Sequence, residues 1–567
     1  MNVNRRTLLA GSASLTVGMA VASRAAGAVP GAVPASLAIQ GDGGTYKAAL
    51  AKLVAYAQSE LEGYGLPGMT LALSDDAGFS ASLSLGTASV ENGELVRPDH
   101  LFEIGSISKS ITALCVHRLA ARGLLDLKAP VSRYLDAASL PETPITLGQL
   151  LNHAGGLPHD AALYPDTPDG RLWCGFAPGT RFSYSNTGYM LLGLVIGAVT
   201  GRPHPEVIAR EVLHPLGMHD AHAHLSLAAR AEFATGYVPE REDLAAMTRI
   251  PMVRGPFLED DFASGTVGAS ARDMAGYLRF VIGLGQGKGA PLLSDADAAA
   301  FLAQAMPNTQ FGPGSLYASG IATVTLDDRP VLHHTGGMLA FSSSFHVDAP
   351  AGVGAFASVN ARLGGYRPRQ VTAYAVRLLR AAREGLPLPE APDPLAARRI
   401  AEADRFAGTW QGSDGRTFEL VREAGDGLKL VADGQEGRVE GAGKDVLATD
   451  HRDYASWPLQ FDAKSNGLWW GDTLFAKGAR PEVPPQSEAL LPYTGLFGDG
   501  TPWFRTRLVV RGDTLWSDLF GAIVPREGGH WSARADEGAT DRLWMDKMLG
   551  GRLHVLNFSG APYRRIV

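Results

Sequence analysis

Cysteine is nearly absent from this sequence: Cys115 and Cys174 are the only two in 567 residues. A disulfide framework is excluded, and a zinc site built on cysteine is disfavoured. Cys115 falls on an apolar helical pattern and reads as core. Whether Cys174 pairs with it depends on the fold. Net charge is also small, at −7, and no basic stripe with interleaved aromatics occurs. Nucleic acid is therefore set aside as a partner. Beyond residue 28 no stretch has 18 uninterrupted apolar residues, about the least a membrane-crossing helix needs. The mature chain is expected to be soluble, without stable membrane insertion. What remains is an ordinary globular composition on a chain too long for one core, so two to four domains are expected.

The first 28 residues read as a targeting segment. "MNVNRRTLLAGSASLTVGMAVASRAAGA" has a basic start with Arg5 and Arg6, then a weakly apolar stretch from Leu8 to Ala22. Ala26, Gly27 and Ala28 supply small residues for cleavage. Gly11, Gly18 and the arginine pair argue against a cytosolic helix. Export by the twin-arginine route, to the periplasm or outside the cell, is expected.

From residue 29 to 385 the chain mixes helical and strand patterns, as an α/β (α+β) catalytic domain would. Lys47 to Glu62 is amphipathic, and "MTLALSDDAGFSASLSLGTAS" alternates like two strands around a turn at Asp75–Gly78. Ile111 to Leu127 is strongly helical. Thr146 is placed to cap a helix that stops by Gly155 and Gly156. Leu332 to Asn360 looks like strands, and Tyr374 to Ala382 like a closing helix. A proline-rich linker follows over 386–403. Strand-like runs then dominate. "FAGTW" from Phe406 is echoed by "YTGLF" from Tyr493, an offset of 87 residues. Each opens a similar run of turns and alternating strands. Two antiparallel β-barrel domains, lipocalin-like, are expected over 404–482 and 485–567.

Chemistry concentrates in three places. In "FEIGSISKSITA", Ser106 and Lys109 stand three apart where a helix begins, so both share one face. A lysine whose pKa is lowered there can take the serine proton, and the helix N-terminus favours the oxyanion formed on attack. In "FSYSNTGYMLLG", Tyr184 and Asn186 precede a helix running from Tyr189 to Val199. Tyr184 offers a phenol for proton transfer, and Asn186 can orient a lysine or hold a substrate carbonyl. In "VLHHTGGMLAFSSSF", His334, Gly336 and Gly337 open a strand pattern, and the glycines allow close backbone approach. Each element alone has a plain structural reading: a cap with a surface lysine, a core aromatic, a glycine turn.

Together and in this order they resemble the serine β-lactamase/penicillin-binding-protein superfamily, with its S-x-x-K, Tyr-x-Asn and K-T-G motifs. The class C-like branch is the most similar, and that branch includes D-aminopeptidases, DD-peptidases and esterases. "LLNHAGGLP" belongs to the same likeness, which spans roughly residues 45–383. The two C-terminal β domains give a layout similar to that of D-aminopeptidases. The resemblance implies Ser106 as acylating nucleophile, with Lys109 and Tyr184 as a proton-transfer network and Asn186 positioning lysine and substrate. It implies an oxyanion hole from the backbone N–H groups of Ser106 and Gly337, and no cofactor. His334 departs from the lysine of K-T-G. Histidine is neutral much of the time near pH 7, so a fixed grip on a substrate carboxylate is lost. The expected activity is a serine peptidase or amidase on short or D-residue-containing peptides. A carboxylesterase, or a sensor acylated by β-lactams, are the alternatives. The expected partner is a small peptide or ester substrate, with a homodimer left open. In D-aminopeptidase-like proteins a β-domain loop limits substrate size, and the aromatics Trp503, Phe504, Trp516, Phe520 and Trp531 are expected to supply such a lid.

Two other features compete for attention. "HPLGMHDAHAHLS" offers His214, His219, Asp220, His222 and His224, but in no zinc-binding spacing, so structural roles are expected and no metal is assigned. Trp469 and Trp470 read as one ring in a barrel core and one in an interface.

Overall fold

In the computed structural model, residues 33–241, 243–362, 367–483, 485–501, 504–534 and 538–566 are described. The targeting segment and Trp503 lie outside the described residues.

Strand-forming sequence near both ends of the first 385 residues meets in one antiparallel sheet. Its order is Ala35–Gln40, Ser80–Ser89, Gly68–Asp75, Val353–Val359, Ser342–Asp348, Arg329–Gly337, Ile321–Leu326, Ser315–Ala318 and Met306–Asn308, with Glu94–Leu95 added beside Ser80–Ser89. The central strands are buried on both faces, because side chains of period two point to two different cores. Leu71, Leu73, Ala355 and Ala357 pack with helix α1 (Lys47–Tyr64) and the helix Pro368–Glu384. Ala72, Phe345 and Phe356 pack with helix α2 (Ser108–Ala121) and the helix Ala271–Gly285. Since every sheet pairing is antiparallel, the unit is α+β in the strict sense.

Helix α2 is shorter than the apolar pattern to Leu127 suggests. It ends at Ala121, and Gly123 turns the chain at φ +74°. Leu125 still reaches the core, but from the irregular segment after the helix. Thr146 caps helix α3 (Leu147–Leu151) with a full capping box to Gln149, and that helix stops before the glycines. The fourth helix, α4, runs Asn186–Thr200 and is capped by the Ser185 side chain. Cys115 is buried, Cys174 is partly exposed, and both are free thiols.

The linker is not a free spacer. Tyr374 donates to the carbonyl of Pro389 at 3.2 Å, Arg367 donates to that of Pro394 at 3.0 Å, and Leu395 packs beside Gly63. Two closed eight-stranded barrels follow, Gly408–Gly412 through Thr473–Lys477 and Gly495–Gly498 through Ala561–Arg565. The echoed motif has a structural reason. In each copy a short helix ends at an aromatic, Phe406 or Tyr493, and the first strand opens at a glycine with positive φ. The strand's aromatic, Trp410 or Phe497, then fills the barrel core. Trp470 donates to the Tyr454 carbonyl at 2.8 Å and packs against the first core, while Trp469 lies under Arg511 of the second barrel. The pair is divided between core and interface as expected.

Candidate active site

Ser106 lies in the 3-10 turn Gly105–Ile107 that leads into α2, and it is partly exposed. The short strand Phe102–Glu103 delivers this turn to the end of strand Arg329–Gly337. His334 to Gly337 therefore close a strand rather than open one, since the pairing partner Ser342–Asp348 continues the ladder to Gly337. The approach is tight enough to require glycine on both sides. Gly105 has φ +56°, and a Cβ there would lie 2.6 Å from the Gly337 nitrogen. A Cβ on Gly336 would lie 1.9 Å from the Ile104 carbonyl oxygen, which already accepts from Ser343 Oγ at 2.7 Å. The Gly337 amide is thus held against the residue before Ser106. Ser106 itself is at a helix start, where N–H groups lack intrahelical partners.

Lys109 is completely buried. Its Nζ is 3.1 Å from Ser106 Oγ, 2.6 Å from Asn186 Oδ1 and 2.7 Å from the Ser264 carbonyl oxygen. It also lies over the rings of Tyr184 at 4.8 Å and Tyr189 at 5.6 Å. Burial brings its pKa down to about 7, against the opposing pull of Asp160. Tyr184 is packed on His153, with ring centroids 4.2 Å apart. All three sequence motifs therefore converge, and the contact between lysine and tyrosine is to the ring face.

His334 is buried and neutral. Its Nδ1 lies 2.5 Å from the Thr335 carbonyl oxygen and its Nε2 lies 3.1 Å from the Tyr317 hydroxyl. An Nδ1–H tautomer donating to the carbonyl and accepting from the phenol satisfies both. Burial pushes its pKa down to about 3, so no cation stands where K-T-G proteins carry one.

Several neighbours carry no motif of their own. His153, at φ +53°, accepts from the Ser185 amide at 3.0 Å and so holds the Tyr184 segment. The signal for it was "LLNHAGGLP", present in the sequence but without a role attached. Asp160 accepts from Asn186 Nδ2 at 2.6 Å, and its other oxygen is 2.5 Å from His159 Nδ1. The second barrel reaches this corner. Thr540 accepts from Trp173 Nε1 at 2.7 Å, Gly538 accepts from Arg181, and Asp541 Oδ1 accepts from the His159 amide at 3.0 Å. A cleft of about 570 Å³ results, bounded by His159, Phe182 and Tyr184 on one side and Phe520, Thr540 and Asp541 on the other. Among the described aromatics expected in a lid, Phe520 alone lines this cleft. Trp516 lies against Arg511, Trp531 lies beside Tyr493, and Phe504 is exposed. Beside Phe520, the second barrel's side of the wall is made by Ala533, Ala539, Thr540, Asp541 and Leu543.

The histidine-rich run starts on the 3-10 turn His214–Leu216 and continues through irregular chain in which His222 forms a bridge with Gly268. His222 faces Glu232 at 3.1 Å. Among the described residues no group of three or more His, Cys, Asp or Glu is arranged to hold a metal ion.

A helix-start serine one turn from a buried lysine, opposite a strand ending in H-T-G-G, on an antiparallel sheet wrapped by helices, is the pattern of the serine β-lactamases and penicillin-binding proteins. The beta-lactamase family model matches residues 51–380. The chain belongs to this family. It is similar to penicillin-binding protein 4* of Bacillus subtilis (strain 168), 31% identical over 174 residues, which cover 27% of this chain and 38% of that protein. It thus spans about two fifths of that relative's length. Penicillin-binding protein 4 of Amycolatopsis lactamdurans is 26% identical over 371 residues, covering 62% of this chain and 94% of that one. Esterase EstB of Burkholderia gladioli is 34% identical over 163 residues, covering 24% and 41% respectively. The octameric penicillin-binding protein homologue from Pyrococcus abyssi shares the fold at a TM-score of 0.54 and 23% identity, over 75% of this chain and all of that one.

Proposed function

We propose that the chain is an exported serine hydrolase that forms an acyl-enzyme on Ser106 and cleaves amides of short or D-residue-containing peptides, as D-aminopeptidases do. The observation that carries this reading is the charge pattern of the cleft. His334 offers no cation for a substrate carboxylate, and although Arg181 and His159 line the near side of the cleft, its far wall carries the Asp541 carboxyl, whose pKa burial raises. A free ammonium group on the substrate suits that wall. The substrate is a small peptide or ester, without nucleic acid and without insertion into a membrane.

The proton chemistry follows from Lys109. A neutral amine has two hydrogens and one lone pair. Asn186 Oδ1 and the Ser264 carbonyl take the two hydrogens, which leaves the lone pair for the Ser106 hydroxyl. Ser106 Oγ attacks the substrate carbonyl carbon as its proton passes to Lys109. The Ser106 and Gly337 amides receive the oxyanion. The proton then goes to the leaving amine, with the Tyr184 phenol as a second carrier, and the amine departs. Water attacks the acyl-Ser106, gives its proton back through the same groups and releases the acid.

A panel of p-nitroanilides and p-nitrophenyl esters with L- and D-residues tests this. Anilides with a free α-amine should be turned over with kcat/KM about tenfold or more above their N-acetylated counterparts, roughly the worth of one desolvated charge contact. Turnover of a penicillin or cephalosporin with no anilide hydrolysed would overturn the reading. The likeness to esterase EstB supports a second reading, a carboxylesterase on the same serine. Ester turnover with no anilide turnover would establish it.

No helix among the described residues is long and apolar enough to cross a membrane. Export rests on Arg5 and Arg6. Replacing both by lysine should leave precursor in the cytoplasm, read by fractionation and immunoblot. Normal levels of mature protein outside the cytoplasm would refute the twin-arginine route.

A further inference from the structure

The hydrogen bonds around Lys109 do not end at Asn186. Asn186 accepts from Lys109 on Oδ1 at 2.6 Å and donates from Nδ2 to Asp160 Oδ1, also at 2.6 Å. Asp160 Oδ2 stands 2.5 Å from His159 Nδ1. The His159 backbone N–H is held by Asp541 Oδ1, which also accepts from Ser559 Oγ at 3.1 Å. A continuous line therefore runs from the buried lysine to the cleft surface, where the His159 and Asp160 side chains keep 44% and 54% of their surface open.

The line has a chemical direction. A carboxamide carries an acceptor on one side and a donor on the other, and it works for Lys109 only with Oδ1 turned inward. A carboxylate accepts and does not donate, so Asp160 can meet the Nδ2 side of Asn186 and no other. We propose that Asp160 and His159 are positioning residues: Asp160 fixes the Asn186 carboxamide toward Lys109, and the Asp160–His159 pair sets the negative charge that Lys109 experiences. This rests on the reading of Ser106 as nucleophile and Lys109 as its base.

The electrostatics agree with the geometry. Asp160 is the charged group that acts on Lys109 and favours its protonated form, while burial opposes it. The other groups around Lys109 are the rings of Tyr184 and Tyr189 and the imidazoles of His153 and His334, both kept neutral by burial. Burial works against a charged His159, but the hydrogen bond and charge of Asp160, together with the charge of Asp541, raise its pKa above the usual value. Burial would raise Asp160, yet His159, Asn186 and Lys109 bring it below the carboxylate range. Asp541 and Tyr563 face the same carboxylate from the second barrel. The pair is thus a carboxylate hydrogen-bonded to an imidazole whose protonated form it favours. Removing one partner or the other changes the field at Lys109 in opposite senses.

That opposition is the test. The rate at which a fluorophosphonate acylates Ser106 is followed against pH in the full chain, a readout that serves whether the natural substrate is an amide or an ester. Asp160→Asn keeps an acceptor oxygen for Asn186 and loses the charge, so the rising limb should move to lower pH. His159→Gln keeps a donor toward Asp160 and loses the ring that can carry a proton beside it, so the limb should move to higher pH. Asp160→Ala frees the Asn186 carboxamide, and the plateau rate should fall on the order of tenfold to a hundredfold, as for other small misplacements of catalytic groups. Limbs that do not move, or that move in the same direction, overturn the proposal, as does an Asp160→Ala plateau within about twofold of wild type. A Ser106→Ala control separates the two readings. Labelling that survives it refutes the nucleophile, whereas Ser106-dependent labelling with unmoved limbs refutes only the positioning role. Asp160→Asn and His159→Gln alter little volume on a half-open surface, so a thermal melt on each confirms a folded chain.

Discussion

Ser106→Ala is expected to abolish turnover of every substrate the wild type accepts, by roughly 10³-fold or more, while leaving a folded chain. The size of the effect follows from what the oxygen does. It is the atom that becomes covalently bound, and no neighbouring hydroxyl stands in for it. Ser108 Oγ is occupied by the Val267 amide at 3.1 Å, and Ser110 Oγ bonds the Ile107 carbonyl and the Tyr277 hydroxyl. The fold should survive because Ser106 is partly exposed and its hydroxyl bonds to Lys109, which keeps Asn186 and Ser264 after the loss. A net hydrogen bond is worth about 1 kcal/mol, a small cost for a chain with several large cores. Matched melting curves and a fluorophosphonate gel are the checks. A purified, folded variant with even a tenth of wild-type activity would show that another residue carries the nucleophile.

The part of the site that could be read in advance is the part written in short local patterns. The three separation of Ser106 and Lys109 places them on one helix face, and the box from Thr146 to Gln149 is a local hydrogen-bond exchange. The echo of "FAGTW" in "YTGLF" reports one barrel opening used twice. What could not be read comes from tertiary approach. Ser264 contributes a carbonyl, which has no sequence signature at all. Asp541 is 382 residues from His159 and meets it only because the second barrel packs against this corner of the catalytic domain. The sequence pattern places His334 to Gly337 at the opening of a strand, since glycines usually mark turns. In the fold their lack of side chains serves the clash-free meeting of two strand ends, and the ladder runs through them. The apolar pattern past Ala121 extends the helix for a related reason: Leu125 is buried, and burial in the segment after a helix leaves the same trace as burial on it.

Lys109 gives the second large effect and a pH signature. Lys109→Ala should slow turnover by about 10³-fold or more, and Tyr184→Phe should also be severe, with the two losses non-additive because they serve one proton path. Independent, multiplying losses would mean that one residue only packs. The wild-type profile should rise through pH 7, because burial places the lysine pKa at about 7 and only its neutral form can take the Ser106 proton. The same burial shapes stability. In the unfolded chain lysine titrates near 10.4, so between about pH 7 and 10 the unfolded state binds a proton that the folded state has released. The unfolding free energy then climbs with pH across that window, and below pH 7 the folded chain carries a buried ammonium at a cost of a few kcal/mol. Lys109→Met removes the titrating group and keeps most of its volume. Denaturant melts of wild type and Lys109→Met at pH 6 and pH 9.5 should therefore differ in trend, with wild type gaining stability relative to the variant as pH rises. Equal pH dependence in both proteins would show that Lys109 is solvated as an ordinary lysine. It would then remain protonated at neutral pH, and the Ser106 proton would have to leave by another route.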